Sequence, residues 1–207
     1  MTIRAVVFDF GGVLFDWNPH HLYRKLIADD HERQWFLDTI CTQAWNTEQD
    51  AGRTLAEATR SLVAQYPQHE TLITAYYDRW HEMLRGPLPE GVAILEALHH
   101  ADMPLFGLTN WSAETFPYAR ANYPFLQCFR DIVVSGELKL IKPDAAIYHA
   151  SLAQVRAHLP DIQPSEVVFI DDVAGNIEAA VTLGWQGIHH VSAERTAARL
   201  RELGVGF

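Results

Sequence analysis

The sequence predicts an α/β fold, a Rossmann-like parallel sheet sandwiched by helices and interrupted by an inserted all-helical cap domain. Three observations predict it. Short apolar runs recur along the chain, and they are continuous rather than alternating, as in strands covered on both faces. Helical patterns separate these runs, and strand–helix alternation favours parallel pairing. One long stretch, from about 18 to 86, holds no strand-like run and reads as amphipathic helices.

Taken in order, Ile3 to Phe8 is a β-branched and aromatic first strand. The helical block follows, with segments at His20 to Ala28, His31 to Ile40, Thr54 to Gln65 and Glu70 to Leu84. Trp17, Trp35, Trp45 and Trp80 lie in or beside it, and Gly86-Pro87-Leu88-Pro89 reads as its return hinge. The expected division is a core of residues 1–16 and 88–207 and a helical cap of residues 17–87. A helix at Gly91 to His100 precedes a strand at Pro104 to Leu108, which runs into Thr109-Asn110. Asp131 to Val134 is the next strand. Pro143 suits a first helical position before Asp144 to Ala157. Val167 to Ile170 leads into Asp171-Asp172, then a helix at Asn176 to Leu183 and a weaker strand at Gln186 to His190.

Composition narrows the function. Of 207 residues, 26 are acidic and 16 are lysine or arginine, for a net charge of −10. Such a field repels phosphate backbones, so nucleic acid is not an expected partner, although one positive pocket can still take a small anion. A hydrophobic fraction of 48% with 20% charged residues excludes a disordered, collagen-like or coiled-coil chain. No apolar run approaches the ~18 residues that cross a bilayer, and the start lacks a signal-peptide core. Cys41 and Cys128, without CxxC spacing, suit a reduced, cytoplasmic setting. A monomer or homodimer is expected.

In a parallel α/β sheet, ligands bind beyond the carboxyl ends of the strands. Those ends carry Asp9, then Thr109-Asn110, then Lys142 a little past the third strand, then Asp171-Asp172. Singly, each suits a cap, a turn or a solvated surface. Together they form a carboxylate cluster with one ammonium. Crowded carboxylates repel unless a cation joins them, and hard oxygen donors suit Mg²⁺ with phosphate oxygens. A carboxylate can also act as a nucleophile.

These residues sit in a pattern that resembles the haloacid dehalogenase-like (HAD) hydrolase superfamily, in the branch with a helical cap after the first strand. Val6-Val7-Phe8-Asp9-Phe10-Gly11-Gly12-Val13-Leu14 is similar to its first motif, and Leu108-Thr109-Asn110 to its second. Ser135-Gly136-Glu137-Leu138 with Lys142-Pro143-Asp144 is similar to the third, and Phe169-Ile170-Asp171-Asp172 with Asn176 to Ala180 to the fourth. The resemblance implies that Asp9 is the nucleophile, forming an aspartyl-phosphate. It implies that Asp9, the carbonyl of Gly11 and Asp172 bind Mg²⁺, with Asp171 holding metal-bound water. Thr109 and Asn110 would donate hydrogen bonds to the phosphoryl group, and Lys142 would balance charge between Asp9 and phosphate.

The pattern breaks at Gly11, where HAD phosphatases commonly carry the acid that protonates the leaving oxygen. Three readings follow. The first is a Mg²⁺-dependent phosphatase of a small phosphorylated metabolite, in which Asp16 replaces the acid or the leaving group needs little help; bacterial sugar 1-phosphate phosphatases look similar. The second is a metal-free 2-haloacid dehalogenase, with a halide-binding arginine from among Arg24, Arg33 and Arg53. The third is a catalytically weak binding protein. On the cap side, Trp17, Asn18, His20 and Trp45 are the residues to watch for substrate contact, with helix–helix core the favoured reading of both tryptophans.

Overall fold

A computed structural model describes residues 2–207. Seven strands occur among them: β1 (Ala5–Phe8), β2 (Phe15–Trp17), β3 (Leu84–Pro87), β4 (Leu105–Thr109), β5 (Asp131–Val134), β6 (Val167–Asp171) and β7 (Gln186–His189). Five of these form one sheet in the order β5-β4-β1-β6-β7, parallel throughout. The first strand is therefore central. The chain crosses to β4 on one side of it and to β6 on the other, which opens a crevice at the carboxyl end of β1.

Both faces of the sheet are covered, which is why its strands read as unbroken apolar runs. Ala5 and Val7 face one way, packing with Phe106, Leu108, Phe169 and Tyr148. Val6 and Phe8 face the other, in the larger cluster that extends into the helical insert. The helices on and around the sheet are best given with those of the insert, in chain order: α1 (His20–Tyr23), α2 (Asp30–Thr39), α3 (Gln43–Asp50), α4 (Leu55–Gln65), α5 (Glu70–Asp78), α6 (Pro89–His100), α7 (Phe116–Asn122), α8 (Ser135–Leu138), α9 (Ala145–His158), α10 (Ala174–Thr182) and α11 (Ala193–Glu202).

Several expectations shift. The stretch read as wholly helical ends in a strand: β2 and β3 pair antiparallel as a two-stranded ribbon, so Gly86 and Pro87 belong to β3 rather than to a free hinge. At three and four residues these strands are too short to show a period. The segment read as helix to Ala28 stops at Tyr23, where Arg33 Nη1 captures the Ile27 carbonyl at 3.1 Å. The helix read to Leu84 stops at Asp78; a single turn at Trp80–Glu82 then turns Trp80 against Trp111, with ring centroids 5.6 Å apart. Finally, α9 opens at Ala145 and not at Pro143, because Asn110 bonds both main-chain groups of Lys142 and holds that stretch out of the helix. The periodicity also left α3, α7, α8 and α11 unread.

The loop after β1 is anchored by aromatic packing. Phe10 lies 5.3 Å from Phe129 and 6.1 Å from Phe116, while Phe15 lies 4.9 Å from Tyr123. Helix α6 presses close to this loop. The Leu88 N–H donates to the Leu14 carbonyl at 2.8 Å, and a Cβ on Gly91 would lie 1.9 Å from the Val13 carbonyl oxygen. Both sides of that contact are backbone. Alanine is intrinsically the better helix former by roughly 1 kcal/mol, but overpacking against main chain costs about 1–3 kcal/mol or more. Gly91→Ala should therefore lower the denaturant midpoint in urea unfolding; an unchanged or higher midpoint would show that the loop yields.

Candidate active site

Asp9 extends from β1 at the switch point. Its N–H donates to the Ile170 carbonyl at 2.8 Å, which continues the β1–β6 ladder and fixes where the side chain starts. Lys142 reaches the same point from the far side of β4. Its ammonium donates to Asp9 Oδ1 at 2.8 Å, to Asp171 Oδ2 at 2.7 Å and to the Leu108 carbonyl at 3.1 Å. All three donors are spent. The lysine side chain is 1% exposed. Burial opposes its charge, but Asp9 and Asp171 outweigh that and raise its pKa. Burial pushes Asp9 up to about 7; Lys142 pulls it down and the Asp171 charge pushes it up.

Asp171 is fully buried and fully used. Oδ1 accepts from the Val173 N–H at 2.7 Å and from Asn176 Nδ2 at 3.0 Å, while Oδ2 accepts from Asn176 Nδ2 at 3.0 Å and from Lys142. This occupancy suits a partner for Lys142 better than a holder of metal-bound water. Asp172 is open to the cavity, and burial followed by the Asp171 charge raises its pKa. The three carboxylates each place one oxygen within 4.8 Å of the others. Against one ammonium that leaves an excess of two negative charges, so a hard divalent cation fits the donor set. Gly12 sustains the geometry: its φ is +67°, and a Cβ there would lie 2.2 Å from Asp172 Oδ2.

Thr109 ends β4 beside this cluster, buried. Asn110 clamps the lysine loop: its Oδ1 accepts from the Lys142 N–H at 2.9 Å and its Nδ2 donates to the Lys142 carbonyl at 3.0 Å. That commits the amide oxygen and one of two amide hydrogens, so its clear structural task is to position Lys142. Asp16 departs from expectation. It lies on β2 with Oδ1 2.9 Å from His21 Nε2 and Oδ2 3.9 Å from Arg85, off the cavity wall. A strand alternates its faces, and Asp16 takes the face away from the cavity while Trp17 takes the other.

The cavity is about 340 Å³. Its floor carries Asp9, Gly11, Thr109, Asn110, Lys142 and Asp172. Its roof comes from the insert: Gln43, Asn46, Thr47 and Asp50 of α3, with Tyr77, and the aromatic faces of Trp17, Trp80 and Trp111 close the sides. Of the two tryptophans favoured as core, Trp17 instead lines the cavity. Trp45 is core, packed on Tyr76 and Tyr77. Asn18 is spent on the turn that enters α1, its Oδ1 accepting from the His20 N–H at 2.9 Å, and His20 stands off the wall. The polar roof of α3 went unread; Thr42, which accepts from the Trp45 N–H at 3.0 Å, was the available start signal.

Insert and core are tied at α3. Ser135 Oγ donates to the Asp50 carbonyl at 2.6 Å and accepts from the Trp111 N–H at 2.9 Å; the Trp111 carbonyl lies 3.3 Å away. The Leu55 N–H donates to Glu114 Oε1 at 2.8 Å.

A buried carboxylate at the switch point of a parallel sheet, an ammonium between acids and a helical insert overhead are the features this site shares with the pattern read in the sequence. The model of the haloacid dehalogenase-like hydrolase family matches residues 3–184, and the chain belongs to that family. Among curated proteins, a sesquiterpene phosphatase of Aspergillus oryzae is 28% identical, covering 98% of this chain and 97% of its own. A predicted HAD-like hydrolase of Porphyromonas gingivalis shares the fold with a TM-score of 0.70, 24% identity and coverage of 97% and 98%. So does a HAD family enzyme of Bacteroides thetaiotaomicron in complex with magnesium and inorganic phosphate, with a TM-score of 0.64, 24% identity and coverage of 90% and 93%.

Removing one partner of a buried charge cluster strands the others. Lys142→Met should cost about 3–5 kcal/mol in urea unfolding, and Asp171→Asn in the same background should return part of it. A midpoint unmoved by Lys142→Met would mean that the ammonium does not hold the two acids together.

Proposed function

We propose that the protein is a Mg²⁺-dependent phosphatase that hydrolyses a small phosphorylated metabolite, a sugar phosphate in the first instance, through an aspartyl-phosphate on Asp9. The observation that carries this is the convergence of Asp9, Asp172 and Lys142 on one cavity floor, with Asp171 buried behind the lysine. Lys142 orients the Asp9 carboxylate by holding Oδ1, which presents the group for in-line attack on phosphorus. Thr109 stands at the strand end where the phosphoryl oxygens would lie, and Asn110 holds the lysine loop in register with it. Asp9, the Gly11 carbonyl and Asp172 would hold the metal; when bound, Mg²⁺ supplies charge neutralisation between the attacking acid and the phosphoryl oxygens. Asp171 fixes and charges Lys142.

In this reading residues 1–16 and 88–207 carry the chemistry, and residues 17–87 act as the cap that recognises the organic part of the substrate and excludes water. The mix of indole faces with the amides of Gln43 and Asn46 and the Thr47 hydroxyl supports a ring that bears hydroxyls. The sesquiterpene phosphatase among the relatives supplies the competing class, a phosphorylated sesquiterpene.

Asp9→Asn should reduce hydrolysis of 4-nitrophenyl phosphate by on the order of 10⁴–10⁶-fold. Chelation should stop the wild type and added Mg²⁺ should restore it. Activity on chloroacetate that survives the chelator would replace the phosphatase reading with dehalogenation. A panel of aldose 1-phosphates beside a farnesyl monophosphate assigns the substrate class, with higher kcat/KM expected on the sugars.

A further inference from the structure

Gly11 leaves the post of the leaving-group acid unfilled, and no side chain has moved into it: a Cβ at Gly11 would meet nothing within 4 Å. Asp16 is turned to His21. The carboxyls that line the cavity are those of Asp9, Asp172 and Asp50. The first two have duties in the proposed chemistry, and Asp50 has none.

Asp50 ends α3, and the structure holds it against the phosphate-side loop. Its carboxyl is bonded by the main chain of Ser112, two residues beyond Asn110. Its own carbonyl is bonded by Ser135. From behind, a directed chain of donors supports it: Gln49 Nε2 donates to the Tyr77 hydroxyl at 2.6 Å, that hydroxyl to Asn46 Oδ1 at 3.2 Å, and Asn46 Nδ2 to Asp50 Oδ2 at 3.2 Å. No lysine or arginine among the described residues pairs with this carboxyl. Burial pushes it up to about 7, so a protonated fraction persists at neutral pH, as a general acid requires.

We infer that Asp50, reaching down from the helical insert, is the proton donor to the leaving oxygen, in place of the acid absent at Gly11. The inference rests on the phosphatase reading above. As an Asp9 oxygen bonds to phosphorus, the bond from phosphorus to the substrate oxygen breaks, and the Asp50 O–H gives its proton to that oxygen, releasing the alcohol and leaving Asp50 a carboxylate. Asp50 then takes a proton from the water that attacks the aspartyl-phosphate; the bond to Asp9 breaks, phosphate leaves, and Asp50 is again protonated.

The test compares benzyl phosphate, which leaves as a basic alkoxide, with 4-nitrophenyl phosphate, whose leaving group needs no proton. In Asp50→Asn, kcat/KM on benzyl phosphate should fall about 10²–10⁴-fold. The same constant on 4-nitrophenyl phosphate should hold within about tenfold, since kcat/KM reports steps up to departure of the leaving group. Saturated kcat should fall on both, because both pass through one aspartyl-phosphate. Asp50→Ser is made in parallel, and inhibition by orthovanadate at the wild-type concentration identifies the folded variant to be scored. Equal losses of kcat/KM on the two substrates, or no loss on either, overturns the assignment. Loss of turnover in Asp9→Asn together with an unsplit Asp50 variant overturns Asp50 alone, whereas retained turnover in Asp9→Asn overturns the aspartyl-phosphate reading and Asp50 with it.

Discussion

One ammonium organises this molecule. Lys142 is buried, and a buried charge is tolerated only when it is paired and fully hydrogen-bonded. Its three donors go to Asp9, Asp171 and the end of β4, so it fastens three parallel strands together at their carboxyl ends. The same bonds set the electrostatics of the floor. They hold Asp9 ionisable despite burial, neutralise Asp171, and leave Asp172 as the exposed remainder that favours a divalent ion. Asn110 matters through this lysine: by bonding both its main-chain groups it sets where the stem enters the core.

The layout divides chemical labour between two kinds of structure. The floor is built at the ends of hydrogen-bonded strands, where the ladder sets main-chain positions and charged groups can be placed close together. The roof is built on helices whose amides and phenol are chained to one another, from Gln49 through Tyr77 and Asn46 to Asp50. Mutual hydrogen bonding gives such a roof rigidity without charge, which leaves its one carboxyl free of cationic partners.

Much of the fold was legible because parallel strands buried on both faces leave an unmistakable mark; Val6-Val7-Phe8 and Val167 to Ile170 carry it plainly. The floor was legible for a related reason. Asp9, Thr109, Asp171 and Asp172 each stand at the end of such a run, so finding the strands finds the residues. Asp16 is near Asp9 along the chain but not in space, because a strand one residue out of phase turns a side chain to the opposite face. Asp50 lay hidden because its importance comes from a contact across 62 positions, with Ser112, that no local pattern records. The ribbon of β2 and β3 was hidden by shortness alone.

The Ser135 hydroxyl has one proton and two carbonyls within reach, that of Asp50 at 2.6 Å and that of Trp111 at 3.3 Å. Only one can receive it at a time. Rotation about a single bond therefore moves the proton from a contact between insert and core to a contact within the core. Loss of the Asp50 contact would therefore leave the Ser135 hydroxyl with a carbonyl still in reach, so this one bond between insert and core can break without stranding its donor.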